Sequence, residues 1–145
     1  MKKILVALDA SPFAPQVLAQ AITLAQKHGG QLWLMRAVGL PVELPLEAYA
    51  MPPESVASLL EKSARKDLAD MAAKVPAGLV GGQIVEIGVP WRTICEVATR
   101  EKVDLLVMGA HGHRLLDRVL GTTTGKVVGH CEVSLFIVRP PVHAS

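Results

Sequence analysis

The chain has 145 residues, of which 50% are hydrophobic and 19% are charged, and this composition excludes an intrinsically disordered chain. The net charge of +2 comes from 15 Lys and Arg against 13 Asp and Glu without a dense basic cluster, which argues against binding of nucleic acid. Because no apolar run reaches the length of a transmembrane helix, we expect a soluble, cytoplasmic protein that does not bind membranes.

The first part of the chain alternates strand and helix patterns. An unbroken apolar run at 3–8 predicts a strand that is buried on both faces. Ser11 is the predicted N-cap of the following helix and Pro12 its predicted first residue. The helix is predicted to end at residues 28–30, and a second strand is predicted at 32–38.

The segment 39–53 interrupts this alternation with four prolines, which break any regular element. A stretch of this length without secondary structure often serves as a lid or a binding loop, and we predict a Pro-rich loop here. A helix over about 54–74 and a third strand at 83–87 are predicted to follow.

The second part of the chain continues the alternation. A turn at 88–90 leads into a helix, and the apolar run at 104–108 predicts a fourth strand. A loop punctuated by glycines spans 109–121, a helix is predicted at about 122–130, and a last strand at 133–138. The whole pattern predicts the α/β class, with one open, mostly parallel, five-stranded sheet and helices on both faces, as one domain over residues 1–145.

The chain contains two cysteines, Cys95 and Cys131. Both have apolar neighbours, which predicts two buried thiols and not a disulfide framework.

Ligands of open parallel sheets bind beyond the carboxyl ends of the strands, where the strand order reverses. Asp9 ends the first strand there, and the loop 109–121 follows the fourth. Glycines let the backbone N–H groups approach an anion, and Gly121 and Thr122 begin a helix whose dipole favours negative charge. The same glycines also suit turns, and a threonine before a helix is often only a cap, so both interpretations stay open.

Five segments, taken in this order, resemble the universal stress protein A family over nearly the whole chain. They are KKILVALDAS, LWLMRAV, EIGVPWRTICEVA, VDLLVMGAHGHRLLDRVLGTTTGKVV and SLFIVRP. The fourth resembles the most specific motif of the family, which in its nucleotide-binding branch reads Gly, two residues, Gly, nine residues, Gly, then Ser or Thr. The resemblance implies a Rossmann-like fold and a homodimer formed through the last strand.

The resemblance also implies that ATP binds with its phosphates against the glycine loop, while Asp9 contacts the ribose or holds Mg²⁺ through the phosphates. By position, the implied nucleotide-binding residues are Asp9, Ala37, Met108, Gly109, Gly112, His113, Gly121, Thr122 and Thr123. No catalytic residue is implied.

The chain departs from the family pattern at two points. Eight residues, 113–120, separate Gly112 from Gly121, and Arg36 stands where the family commonly has His. We therefore carry three hypotheses: an ATP-binding sensor or regulator of the stress response, a slow ATP hydrolase, and a dimeric interaction module that binds no nucleotide and uses segment 39–53 as a partner surface.

Overall fold

The computed structural model describes residues 2–40, 50, 52–110 and 120–140. Strands and helices alternate along these ranges. In chain order they are β1 (Lys3–Ala7), α1 (Ala14–His28), β2 (Gln31–Val38), α2 (Pro53–Ala72), β3 (Val80–Ile87), α3 (Pro90–Arg100), β4 (Leu105–Gly109), α4 (Thr122–His130) and β5 (Leu135–Val138). Most of the predicted Pro-rich loop, namely 41–49 and 51, lies outside the described residues.

The five strands form one parallel sheet in the order β3-β2-β1-β4-β5. The chain runs outward from β1 to β3 and then crosses back to β4, so that the strand order reverses between β1 and β4. This arrangement confirms the predicted fold class. It also leaves a crevice between the carboxyl ends of β1 and β4, because the helices that follow these two strands lie on opposite faces of the sheet.

Each face of the sheet packs against two helices. On β1, Ile4 and Val6 point to the face covered by α1 and α2, whereas Leu5 points to the face covered by α3 and α4. All three side chains are at most 1% exposed. A strand buried on both faces needs apolar side chains at every position, and for this reason β1 is a continuous apolar run.

The start of α1 corrects one sequence prediction. The helix begins at Ala14, not at Pro12, and its N-cap position is occupied by Phe13, not by Ser11. The Ser11 hydroxyl instead accepts a hydrogen bond from the Phe13 N–H (3.3 Å), and its carbonyl accepts one from the Ala14 N–H (3.2 Å). The resulting turn buries the Phe13 ring, which is 2% exposed.

Strand β3 is longer than predicted, since it begins at Val80 and not at 83. Gly82 pairs with Trp33 on β2, Gly81 lies at the register shift between Leu32 and Trp33, and the Trp33 ring lies against both glycines. A Cβ atom at Gly81 would lie 2.5 Å from Cη2 of that ring, so the ring occupies the space that side chains would need.

The two cysteines also differ from the sequence prediction. Cys95 on α3 and Cys131 after α4 are free thiols, and both are half-buried, not fully buried as predicted.

Candidate functional site

A cavity of about 310 Å³ occupies the crevice beyond the carboxyl ends of β1, β2 and β4. Its walls come from the ends of these strands and from the first residues of α1, α3 and α4. The lining residues are Ala7, Leu8, Asp9, Ser11, Phe13, Ala14, Val17, Ala37, Pro90, Ile94, Met108, Gly109, Gly121, Thr122, Thr123 and Thr124. The volume is at the low end of the range of small-molecule sites, roughly 300–1,000 Å³.

The structure brings together most of the residues that the sequence pointed to. Seven of them line this one cavity, namely Asp9, Ala37, Met108, Gly109, Gly121, Thr122 and Thr123. The other two, Gly112 and His113, lie outside the described residues.

The parallel register places the strand ends at one level. Ala7 on β1 pairs with Met35 on β2 and with Met108 on β4, and the Leu8 N–H continues the ladder by donating to the Met35 carbonyl (2.8 Å). Asp9 therefore follows the last ladder bond of β1 and lies at the cavity rim.

The beginning of α4 is fixed to the end of β4 by two hydrogen bonds. The Gly121 N–H donates to the Ala110 carbonyl (2.9 Å), and the Thr124 hydroxyl donates to the Gly109 carbonyl (2.7 Å). Thr124 is 4% exposed, and its hydroxyl proton is committed to this anchor.

The N-terminus of α4 faces the cavity with its backbone N–H groups. The N-cap, Gly121, has no side chain to accept from the first turn, and no residue in the described ranges accepts a hydrogen bond from the N–H of Thr122 or Thr123. The first N–H groups of a helix carry partial positive charge and lie at the positive end of its dipole. This end of the cavity is therefore suited to an anion.

Asp9 supplies the one charged side chain in the described wall of the cavity. Its Oδ1 accepts a hydrogen bond from the Ser11 N–H (3.0 Å), which holds an exposed carboxylate at the rim. A carboxylate that keeps one oxygen available suits either a ribose hydroxyl or a Mg²⁺ ion that is also held by phosphates. The described residues contain no group of three or more His, Cys, Asp or Glu side chains that would bind a metal without such help.

Arg36 lies behind the cavity, where it supports the end of β1. Its Nε donates to the Leu8 carbonyl (2.9 Å), its Nη2 donates to the Asp9 carbonyl (3.2 Å), and its Nη1 lies 3.6 Å from Oδ2 of Asp67 on α2. The side chain is 9% exposed. It therefore holds the backbone that carries the Asp9 carboxylate.

Sequence reasoning missed the apolar wall that α1 and α3 contribute. Phe13, Val17 and Ile94 line the cavity, but in the sequence they are ordinary members of amphipathic helices. Only the position of Pro90, three residues after the end of the third strand, gave a signal that the start of α3 lies at the same edge of the sheet.

None of the helices in the described ranges combines the length and the apolar character that a membrane span requires.

The sheet order, the switch point and the cavity define a Rossmann-like α/β protein with a cavity at the carboxyl edge of its sheet. A sequence model of the universal stress protein family matches residues 1–139. The chain belongs to the universal stress protein family.

Two curated relatives align over nearly the whole chain. Universal stress protein A homolog 1 of Coxiella burnetii is 30% identical over 137 residues, which cover 91% of this chain and 93% of that protein. Universal stress protein Sll1388 of Synechocystis sp. is 33% identical over 149 aligned positions, which cover 94% and 97%.

Solved structures of the family share the fold. Universal stress protein UspA from Lactobacillus plantarum superposes with a TM-score of 0.73 at 26% identity, covering 95% of this chain and 97% of that one. A universal stress protein in complex with cAMP gives 0.63 at 20% identity, covering 95% and 96%. A universal stress protein from Archaeoglobus fulgidus in complex with dAMP gives 0.60 at 16% identity, covering 96% and 98%.

Proposed function

We propose that the cavity binds an adenine nucleotide, ATP with Mg²⁺, and that the protein acts in the stress response as a sensor or regulator. The observation that carries this proposal is the pair of N–H groups at Thr122 and Thr123, which donate to no described residue and face a cavity with Asp9 at its rim. The N–H groups and the helix dipole would bind phosphate. Asp9 would accept from the ribose or hold the Mg²⁺ ion between itself and the phosphates.

The apolar part of the cavity supports the nucleoside end of the same ligand. Ala37 and Ile94 contribute apolar surface against which a flat base would pack, away from the first turn of α4. The two complexes with cAMP and dAMP, both of which contain an adenine nucleoside monophosphate, lend support because those proteins have the same fold. Two elements stay predictions: the cytoplasmic location, and the single domain over residues 1–145 with its Pro-rich loop.

The test is calorimetric titration of the purified protein with ATP, with and without Mg²⁺. We expect saturable binding at nucleotide concentrations up to the order of 1 mM, together with a rise of the melting temperature, because a ligand that binds only the folded state stabilises it. Asp9→Asn keeps the acceptor for the Ser11 N–H but removes the charge, so it should weaken binding with Mg²⁺ by about tenfold.

Asp104→Asn provides the matched control. It changes the net charge equally, but Asp104 precedes β4 at the opposite edge of the sheet, where its Oδ2 accepts from the Lys3 N–H (2.8 Å). Its affinity for ATP should equal that of the wild type. Absence of both heat and thermal shift at millimolar ATP would reject the proposal and favour the interaction module that binds no nucleotide.

We also infer that the protein forms a homodimer through β5. This strand is at the edge of the sheet, and its Phe136 side chain is 38% exposed. A second copy that pairs antiparallel with this edge would satisfy the backbone groups that face away from β4 and cover the Phe136 ring with two-fold symmetry.

Light scattering tests the dimer. We expect twice the chain mass for the wild type and a monomer for Phe136→Lys, because two lysines would face each other across the two-fold axis. Leu40→Lys, at a side chain that is 57% exposed outside β5, should remain dimeric. A wild type that is monomeric at its highest soluble concentration would contradict the inference.

A further inference from the structure

The two thiols of the chain meet where α3 contacts α4. Cys95 lies in the middle of α3, and Cys131 directly follows α4, where its N–H donates to the Val127 carbonyl (2.8 Å). Both side chains pack on the same apolar cluster, which covers one face of the sheet, and both are half-buried. They are thus shielded enough to be held in place and exposed enough to meet a small solute.

A second contact fixes the relative position of the two helices. The Trp91 and His130 ring centroids lie 4.6 Å apart. Trp91 is one helical turn before Cys95, and His130 immediately precedes Cys131. The two cysteines therefore lie next to the contact between the two rings, where α3 meets α4. Cys95 and Cys131 are therefore neighbours in this contact, and Cys131 is close enough to contribute to the raised pKa of Cys95.

We propose that Cys95 and Cys131 form a reversible intramolecular disulfide, which joins α3 to the end of α4 when the protein meets a peroxide. Both side chains pack on one cluster beside the contact between Trp91 and His130, so a small approach of the two thiols would bring them to the S–S bond length of about 2.05 Å. The crosslink would close a ring over residues 95–131, which includes β4 and α4. It does not depend on the proposed nucleotide.

The chemistry balances with hydrogen peroxide as the oxidant. The Cys131 sulfur attacks one peroxide oxygen, so that an S–O bond forms, the O–O bond breaks, and the departing hydroxide takes up a proton to become water. The Cys95 sulfur then attacks the Cys131 sulfur, so that the S–S bond forms and the S–O bond breaks. The second hydroxide leaves with the Cys95 proton as water, and the two thiols have reduced one peroxide.

The environment of each thiol sets this order of attack. Burial, and after it the hydrogen bond and charge of Cys131, raise the pKa of Cys95 to about 12. Cys95 is therefore protonated at neutral pH, and the thiolate is the nucleophilic form of a cysteine. Cys131 reacts first, and its oxidation removes the thiolate charge that opposes ionisation of Cys95, so that Cys95 can resolve the intermediate.

The test treats the reduced, nucleotide-free protein with hydrogen peroxide and measures the intact mass. We expect the monomer to lose about 2 Da, the mass of two hydrogen atoms, and to regain it with dithiothreitol. Trypsin should release residues 93–100 and 127–145 as one linked pair, because cleavage follows Arg92, Arg100 and Lys126 but not Arg139, which precedes proline. The melting temperature of the oxidised form should rise by about 5–10 °C.

Two single variants distinguish the proposed pair from ordinary oxidation. In Cys95→Ser, Cys131 lacks its resolving partner, so its mass should increase by about 16 Da or more as it passes to the sulfenic and higher acids. Cys131→Ser should react much more slowly, since only the protonated Cys95 remains. A wild type that gains oxygen, forms covalent dimers, or keeps both thiols under conditions that oxidise Cys95→Ser would overturn the proposal.

These outcomes are separate from those of the proposed function. The disulfide is measured without nucleotide, and ATP binding is measured on the reduced protein, so that either result can fail alone.

Discussion

Replacing Arg36 with alanine is expected to lower the free energy of unfolding by about 2–4 kcal/mol. The substitution removes the donors of the Leu8 and Asp9 carbonyls at the end of β1, and the Leu8 carbonyl lies in a buried contact. Hydrogen bonds from a charged group contribute about 1.5–3 kcal/mol, and a buried acceptor without a partner adds its own cost. The aliphatic stem of Arg36 packs here as well, and its loss leaves a cavity.

Chemical denaturation monitored by circular dichroism measures this effect. Arg36→Lys should fall between the wild type and Arg36→Ala, because one ammonium cannot reproduce the fork that reaches two carbonyls and Asp67. Arg65→Ala is the matched control, since that guanidinium is exposed and, among the described residues, pairs with Glu61 one turn away (2.8 Å), an interaction of about 0.5 kcal/mol or less. If Arg36→Ala and Arg65→Ala have the same free energy of unfolding, the inference that Arg36 stabilises the end of β1 is wrong.

Arg36 also shows how much about the contacts of a side chain can be predicted from the sequence alone. Its identity stood out as a departure from the family pattern, but a sequence does not tell which carbonyls a long side chain reaches. The guanidinium of Arg36, on β2, reaches the carbonyls of Leu8 and Asp9, which lie 28 and 27 positions earlier in the chain, and the side chain of Asp67 on α2. These contacts form because β1 pairs with β2 in the sheet, which brings the end of β1 next to Arg36.

The strands were predictable where burial on both faces dictates an apolar run. The pattern at 3–8 and 104–108 predicted β1 and β4 to within one residue at each end. The pattern failed at Gly81 and Gly82, because glycine signals a break locally and the Trp33 ring that covers these two residues belongs to another strand. The N-cap at Ser11 failed for a similar reason, since the buried Phe13 ring sets where α1 starts.

The polar half of the candidate site was predictable because its chemistry is local. Asp9 follows a strand, and Gly121 with Thr122 begins a helix, so the rule for parallel sheets predicts that they meet. The apolar half, and the packing of Cys95 and Cys131 on one cluster, depend on how helices from distant parts of the chain pack on the sheet. No spacing within one segment encodes that packing.

Small residues at the ends of three neighbouring strands keep the cavity open. Ala7 ends β1, Ala37 is next to last on β2, and Gly109 ends β4, and all three line the cavity. A leucine at any of these positions would project into a volume of about 310 Å³. The size of these side chains therefore decides whether a ligand fits.

Ala37→Leu is expected to weaken ATP binding by roughly 100-fold, which corresponds to about 2.8 kcal/mol. The added isobutyl group would occupy the apolar part of the cavity that the proposed nucleoside needs, whereas Ala37 is half-exposed, so the fold should tolerate the larger side chain. Calorimetric titration with ATP and Mg²⁺ gives the affinity, and a thermal melt of the ligand-free variant reports stability. Ala69→Leu on the exposed face of α2, outside the cavity wall, makes the same chemical change and should bind ATP like the wild type. Equal affinities of Ala37→Leu and Ala69→Leu for ATP would show that the nucleotide does not bind in this cavity. The fold and the family would not be affected by that result.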